Sequence, residues 1–327
     1  MSLTAVTGAS GFLGGVLVPM LLAQGRRVRA IDRHRGPALE GLDVEFVKAD
    51  VTQPSSLGAA LSGADVVHHL VARISIVGDP DGEVWAVNVD GAGNVAAAAR
   101  AAGVRRYVHC SSIHAFDLDA PGALDENGAR STSEALPVYD RSKAAGEERV
   151  RAEIARGLDA VIVNPSGIIG PHDYAPSRMG HVFLGLFRGA VPANVDGAFD
   201  WVDVRDVAEG IIAAEGHGRT GQNYLLPGQR ATVAEMAAAC ARVAGVRPPR
   251  VTLPMWLARA LVPLGEWQAR RAGAEPLFTR EALHALASDP RVDGTRAHAE
   301  LSYQPRPFET SVQDTFDWFR ERPTLDR

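Results

Sequence analysis

Thr7-Gly8-Ala9-Ser10-Gly11-Phe12-Leu13-Gly14 decides the fold of this chain. It follows a β-branched run, Thr4–Thr7, and opens an apolar helical pattern over Leu13–Gln24. A strand-to-helix turn of this kind aims backbone N–H groups and the positive end of a helix at one point, which suits a pyrophosphate. Gly8 permits the tight turn, Gly11 keeps a Cβ out of the way of the phosphates, and Gly14 lets the helix pack closely on the strand. Ser10, Phe12 and Leu13 complete the candidate phosphate-binding loop. Its spacing is G-x-x-G-x-x-G, one residue longer than the usual dinucleotide fingerprint.

Outward from this loop, β-branched runs alternate with alanine-rich helical runs. Strands are expected at Val28–Ile31, Val44–Lys48, Val66–Leu70, Tyr107–Ser111 and Ala160–Asn164, with helices at Ser55–Leu61, Trp85–Ala102 and Ser142–Arg156. This rhythm predicts an α/β fold, a Rossmann-like doubly wound parallel sheet with right-handed crossovers. Asp32 ends the second strand 18 residues after Gly14. A carboxylate there accepts from the adenosine ribose hydroxyls and repels a 2′-phosphate, favouring NAD. Arg33 beside it could hold that phosphate, so NADP stays open. Asp50 and Val51 end the third strand and Leu70 and Ala72 the fourth, at the sheet edge where such ligands sit.

After Pro165 the pattern loosens. Dinucleotide-binding residues are expected over 1–165, with 198–226 returning to them. Residues 166–197 and 227–327 are assigned to a smaller, mostly helical substrate-binding domain, and the returning stretch is strand-like at Trp201–Val204 and Gln222–Leu226. Composition agrees with a globular enzyme of about two domains: 46% hydrophobic, 22% charged, net charge −5. That balance gives no footprint for nucleic acid. Cys110 and Cys240 are expected as buried thiols. No signal-peptide pattern begins the sequence, and Leu253–Trp267 is too short and broken to span a bilayer, so a cytoplasmic enzyme is expected.

Ser111-Ser112 ends the fifth strand, and Tyr139-Asp140-Arg141-Ser142-Lys143 opens the next long helix. Residues four apart project from one helix face. A free phenol, with a pKa of about 10, is too weakly acidic to serve as a base at neutral pH. A neighbouring ammonium and an oxidised nicotinamide both favour its phenolate. Ser112 can hold a substrate oxygen beside Tyr139. Lys143 and Lys48 are the only lysines in an arginine-rich chain, where arginine could serve any surface ion pair.

These motifs resemble the extended short-chain dehydrogenase/reductase family across nearly the whole chain. The resemblance implies a catalytic Ser112, Tyr139 and Lys143, and a cofactor site that also draws on Ser111 and Pro165. Val87-Asn88-Val89-Asp90-Gly91 is similar to the segment where Asn88 maintains proton-relay geometry. Within the family, Pro171-His172-Asp173-Tyr174-Ala175-Pro176-Ser177-Arg178-Met179-Gly180 is similar to the dihydroflavonol-reductase-like and 3β-hydroxysteroid-dehydrogenase-like branch. That branch implies hydride transfer between NAD(P)(H) and a ketone or secondary alcohol of a small, fairly apolar substrate. The alternative is a nucleotide-sugar epimerase with tightly bound NAD. Phe116-Asp117 replaces the Tyr-Gly pair of many epimerases, and Ser112-Ile113-His114 replaces the T-D-E of the 4,6-dehydratases. His114, Tyr174 and Met179 are candidate substrate contacts. His68 and His69 are adjacent on one strand and face opposite ways, so no metal site is expected. A homodimer through the helices at Trp85–Ala102 and Ser142–Arg156 is the expected assembly.

Overall fold

The computed structural model describes residues 2–272 and 279–322. Seven strands form the main sheet: β1 (Leu3–Thr7), β2 (Arg27–Asp32), β3 (Glu45–Lys48), β4 (Val66–His69), β5 (Arg106–Cys110), β6 (Ala160–Pro165) and, after three strands placed elsewhere, β10 (Asn223–Leu226). Their order is β10-β6-β5-β4-β1-β2-β3, parallel throughout. The order reverses between β1 and β4, so the crevice beyond their carboxyl ends is the natural ligand site. Strands buried on both faces read as near-continuous apolar runs, as in the fully buried β1 and β6.

Helices α1 (Gly14–Ala23) and α7 (Val204–His217) cover one face. The other is covered by α2 (Pro54–Leu61), α4 (Ala92–Ala101) and α5 (Val138–Ile154). A short α3 (Glu83–Trp85) runs into α4 through a π-helical turn, Ala86–Gly91, so the single helix expected at Trp85–Ala102 is interrupted. Such turns are rare and recur at functional sites.

The smaller strands are β7 (Gly167–Ile169), β8 (Asn194–Val195), β9 (Ala198–Asp203), β11 (Gln229–Thr232) and β12 (Thr252–Leu253). Of the stretch 198–226, β10 joins the main sheet and α7 packs on it, while β9 lies outside that sheet. It is the middle strand of a three-stranded sheet, parallel to β7 and antiparallel to β11. Both of its faces are taken: Phe199 and Trp201 pack into an apolar cluster with Phe183 and Trp318, and Val202 joins the main core. Around this sheet lie α6 (Arg178–Phe187), α8 (Val233–Ala244), α10 (Arg280–Ser288) and α12 (Phe308–Arg320), while α9 (Met255–Ala272) packs on α10 and α11 (Thr295–Leu301) on α7 and β10. Cys110 and Cys240 are free and buried.

Candidate active site

The glycine loop closes β1 onto α1. Gly8 adopts φ +76°, and a Cβ there would press to 3.0 Å on the Val71 nitrogen, so only glycine fits the turn. Gly14 has another reason than packing against the strand: its Cβ would strike the carbonyl oxygens of Gly8 and Ala9, the loop's own backbone. No side chain caps α1, and its first turn holds no acid. Its leading N–H groups therefore suit an anion.

Gly8, Gly11, Asp32 and Arg33 line one cleft together with Asp50, Val51, Leu70 and Ala72. The Asp32 carboxylate accepts from the backbone N–H of Ser10 at 3.1 Å and of Arg33 at 2.7 Å. Asp50 accepts from the Thr52 backbone and hydroxyl, bonds that hold its pKa low against slight burial. The Ser10 side chain has partners within the chain. Its hydroxyl donates to the His34 carbonyl and accepts from the Gly36 N–H, tying the loop to the segment after β2. Phe12 and Leu13 pack against the main core, not along the cleft. Arg73 and Glu83, which sequence reasoning passed over, line the same cleft.

At the sheet's carboxyl edge, Ser112 follows β5 and Tyr139 opens α5. Tyr139 is half-buried and hydrogen-bonds with Ser112. Burial raises its phenol pKa, the bond to Ser112 opposes that rise, and the Asp140 charge adds to it. Lys143 lies one turn further along α5. Its buried ammonium points to the Cys110 carbonyl at 3.4 Å, and burial lowers its own pKa. Pro165 is buried at the end of β6, paired with Leu226, and Ser111 is buried beside Ser112.

Two supports stand behind these groups. In the π-helical turn, the Asn88 amide accepts from the Arg73 N–H at 2.8 Å and donates to the Arg73 carbonyl and the Ser142 hydroxyl, both at 2.9 Å. A Cβ on Gly146 would collide with the Asn88 carbonyl, so α5 needs glycine there to receive that turn. The second support is Glu147, one turn beyond Lys143 and fully buried. It accepts from Asn164 at 2.7 Å and Asn223 at 2.9 Å, and pairs with Arg130. Asn164 in turn donates to the Ser112 carbonyl at 2.8 Å, fixing the loop that carries the serine. The Tyr139, Lys143, Glu147 spacing was the one available signal for this residue.

His114 Nδ1 lies 2.9 Å from Asp140 Oδ1, and its ring meets the Tyr139 ring edge-on at 5.4 Å and stacks on Phe199 at 5.7 Å. Met179 packs against the apolar cluster containing Ile113, Phe183 and Phe199. Tyr174 sits over Gly15 at the start of α1 and meets Trp318 edge-on at 4.9 Å. His68 and His69 do face opposite ways, one toward Glu215 and the other toward Thr7. Among the described residues, no group of three or more His, Cys, Asp or Glu side chains could hold a metal ion.

Residues 4–226 match the model of the NAD dependent epimerase/dehydratase family. The chain belongs to that family. It is an NAD-dependent enzyme of the extended short-chain dehydrogenase/reductase kind, and the uncapped α1 terminus and glycine-only loop fit the cofactor's diphosphate. The enzyme is 37% identical over 323 residues to sterol demethylase protein B of Methylococcus capsulatus, covering 98% of each chain. It is 30% identical to a putative dihydroflavonol 4-reductase of Synechocystis sp., over 96% of this chain and 94% of that one. Among solved structures, that of gox2253 superposes with a TM-score of 0.85 at 34% identity, covering 99% of both chains.

Proposed function

We propose that the enzyme catalyses reversible hydride transfer between NAD(H) and a ketone or secondary alcohol on an apolar, sterol-like substrate. One observation carries the assignment. The phenol of Tyr139 is hydrogen-bonded to Ser112, and Lys143, one turn along the same helix, reaches the carboxyl end of β5, the neighbour of β4, after which Leu70 and Ala72 line the glycine-loop cleft. Gly8, Gly11 and the start of α1 would hold the diphosphate, Asp32 the adenosine ribose, and Lys143 the nicotinamide ribose. NAD supplies the hydride acceptor in the oxidising direction and, once reduced, the donor in the other. Ser112 Oγ holds the substrate oxygen, and Tyr139 Oη takes its proton or returns it. Glu147 and Asn164 keep Ser112 in place from behind, and Asn88 keeps α5 seated.

The substrate class rests on the relative named sterol demethylase protein B. Asp32 supports NAD over NADP, since its carboxylate is fixed by two N–H groups at the place a 2′-phosphate would need. We place the substrate-binding part in 166–197 and 227–327, with 198–203 added to it. A spectrophotometric screen at about 340 nm with hydroxysterols, flavonoid-like ketones and nucleotide sugars tests the reading. Stoichiometric NADH from a hydroxysterol is expected. Interconversion of a nucleotide sugar with no net NADH would replace it with the epimerase reading.

A further inference from the structure

Helix α9 is apolar on two opposite faces, and only one of them is covered. Ala258 and Val262 pack with Val195 and Leu283, joining α9 to α10. On the far side Trp256, Ala260, Leu264 and Trp267 succeed one another at helical spacing, with Trp256 70%, Leu264 52% and Trp267 50% exposed. An apolar helical stripe ordinarily faces a core, and exposed tryptophans at this density mark an interaction surface.

Charge decides what that surface meets. Between Arg242 and Ala272 the sequence holds six arginines and a single carboxylate, Glu266, in a chain whose net charge is −5. Arg242, Arg247, Arg250, Arg259 and Arg271 are exposed. Among the described residues none of the first four is ion-paired, and Arg271 lies over the Trp267 ring at 5.0 Å. A two-fold dimer through α9 would set this basic field against itself, whereas an anionic lipid surface complements it. Tryptophans with flanking arginines are the side chains that seat at the headgroup boundary. No described helix is long and apolar enough to cross a membrane, so the contact is peripheral.

We propose that α9 docks the enzyme on an anionic lipid surface, its Trp256–Trp267 face in the headgroup layer. Beyond α9, α10 supplies Glu281 and His284 to a groove that also contains Val138, the neighbour of Tyr139. The docked face thus lies one helix away from the candidate active site, an arrangement suited to an apolar substrate drawn from lipid. The inference stands on α9 alone, and the identity of the reaction does not affect it.

Co-sedimentation of the full chain with phosphatidylglycerol–phosphatidylcholine vesicles tests it. The protein is expected to pellet with these vesicles and not with pure phosphatidylcholine, and raising salt from about 0.1 M to about 0.5 M should release most of it. Trp256→Ser/Trp267→Ser and, separately, Arg247→Gln/Arg250→Gln/Arg259→Gln should each reduce the bound fraction about tenfold. Unchanged far-UV circular dichroism and NAD binding would show that both variants fold. Equal binding to neutral vesicles, no binding to either kind, or folded variants that bind like the parent would overturn the proposal. So would a dimer in gel filtration that the tryptophan variant dissociates while vesicle binding is absent.

Discussion

His114 and Asp140 form a hydrogen-bonded pair, Nδ1 to Oδ1 at 2.9 Å, whose imidazole lies edge-on against the Tyr139 ring. The carboxylate orients the ring, and stacking on Phe199 holds it. We propose that the other ring nitrogen meets a substrate oxygen. His114→Ala should lower kcat/KM with a hydroxysterol by about tenfold, and Asp140→Asn by less. Steady-state kinetics check this, and a His114→Ala enzyme with parental kcat/KM would remove the imidazole from the site.

Asp140 also acts on the phenol. Burial raises the Tyr139 pKa most, and the neighbouring carboxylate adds to the rise. Replacing that charge in Asp140→Asn stabilises phenolate relative to the parent. Alcohol oxidation requires the phenolate, so the rising limb of log kcat/KM against pH should move to lower pH. A limb that stays where it was would exclude Asp140 from the titration.

Cofactor choice turns on Asp32. With its carboxylate removed in Asp32→Ala, Arg33 remains on the same cleft wall. The ratio of kcat/KM for NADP over NAD should then rise by at least about tenfold. Paired kinetics with the two cofactors give the answer, and an unchanged ratio would show that Asp32 does not read the ribose.

Much of this was legible in the sequence, and the rest was hidden for one physical reason. The glycine loop, the parallel strands and the Tyr139–Lys143 spacing are local patterns, and the structure brings them to one sheet edge. What was not legible comes from side chains distant in sequence. Asn223 reaches Glu147 across 76 residues, and Asn164 reaches Ser112 across 52. No periodicity encodes such bonds. β9 was placed with the dinucleotide-binding residues, and its pairing with β7 and β11 joins residues distant in sequence and has no local signature. The role of Lys143 beside the phenol was read from its spacing and from the family resemblance, and only the structure shows its ammonium against the Cys110 carbonyl.

Two helical glycines separate close approach from open space. Gly146→Ala would drive a Cβ into the Asn88 carbonyl, while Gly58, inside α2, has no atom within 4 Å of a Cβ and takes alanine freely. Thermal unfolding should show Gly146→Ala destabilised by about 1–3 kcal/mol with reduced kcat. Gly58→Ala should be stabilised by about 0.5–1 kcal/mol. Equal effects at the two positions would contradict the packing described for the π-helical turn.

Acid should unfold the protein through its buried histidines. Burial, then the Lys143 charge, lowers the His69 pKa from 6.5 to about 3, and His109 is pushed down by burial, His69 and Lys143. Between those values the unfolded chain binds protons that the folded one refuses. Stability is therefore full above pH 6.5 and is lost as pH falls toward 3. Midpoints of thermal unfolding across that range should fall more gently in His69→Gln than in the parent. Parallel slopes would contradict a buried neutral His69.

The most direct test is Tyr139→Phe, compared with the parent for NADH formation from a hydroxysterol and for NAD binding by fluorescence titration. Loss of the hydroxyl should cost at least about 100-fold in kcat while the Kd for NAD is unchanged. A Tyr139→Phe enzyme that turns over at the parental rate would contradict the assignment of the proton to this phenol, and with it the reaction proposed for the site.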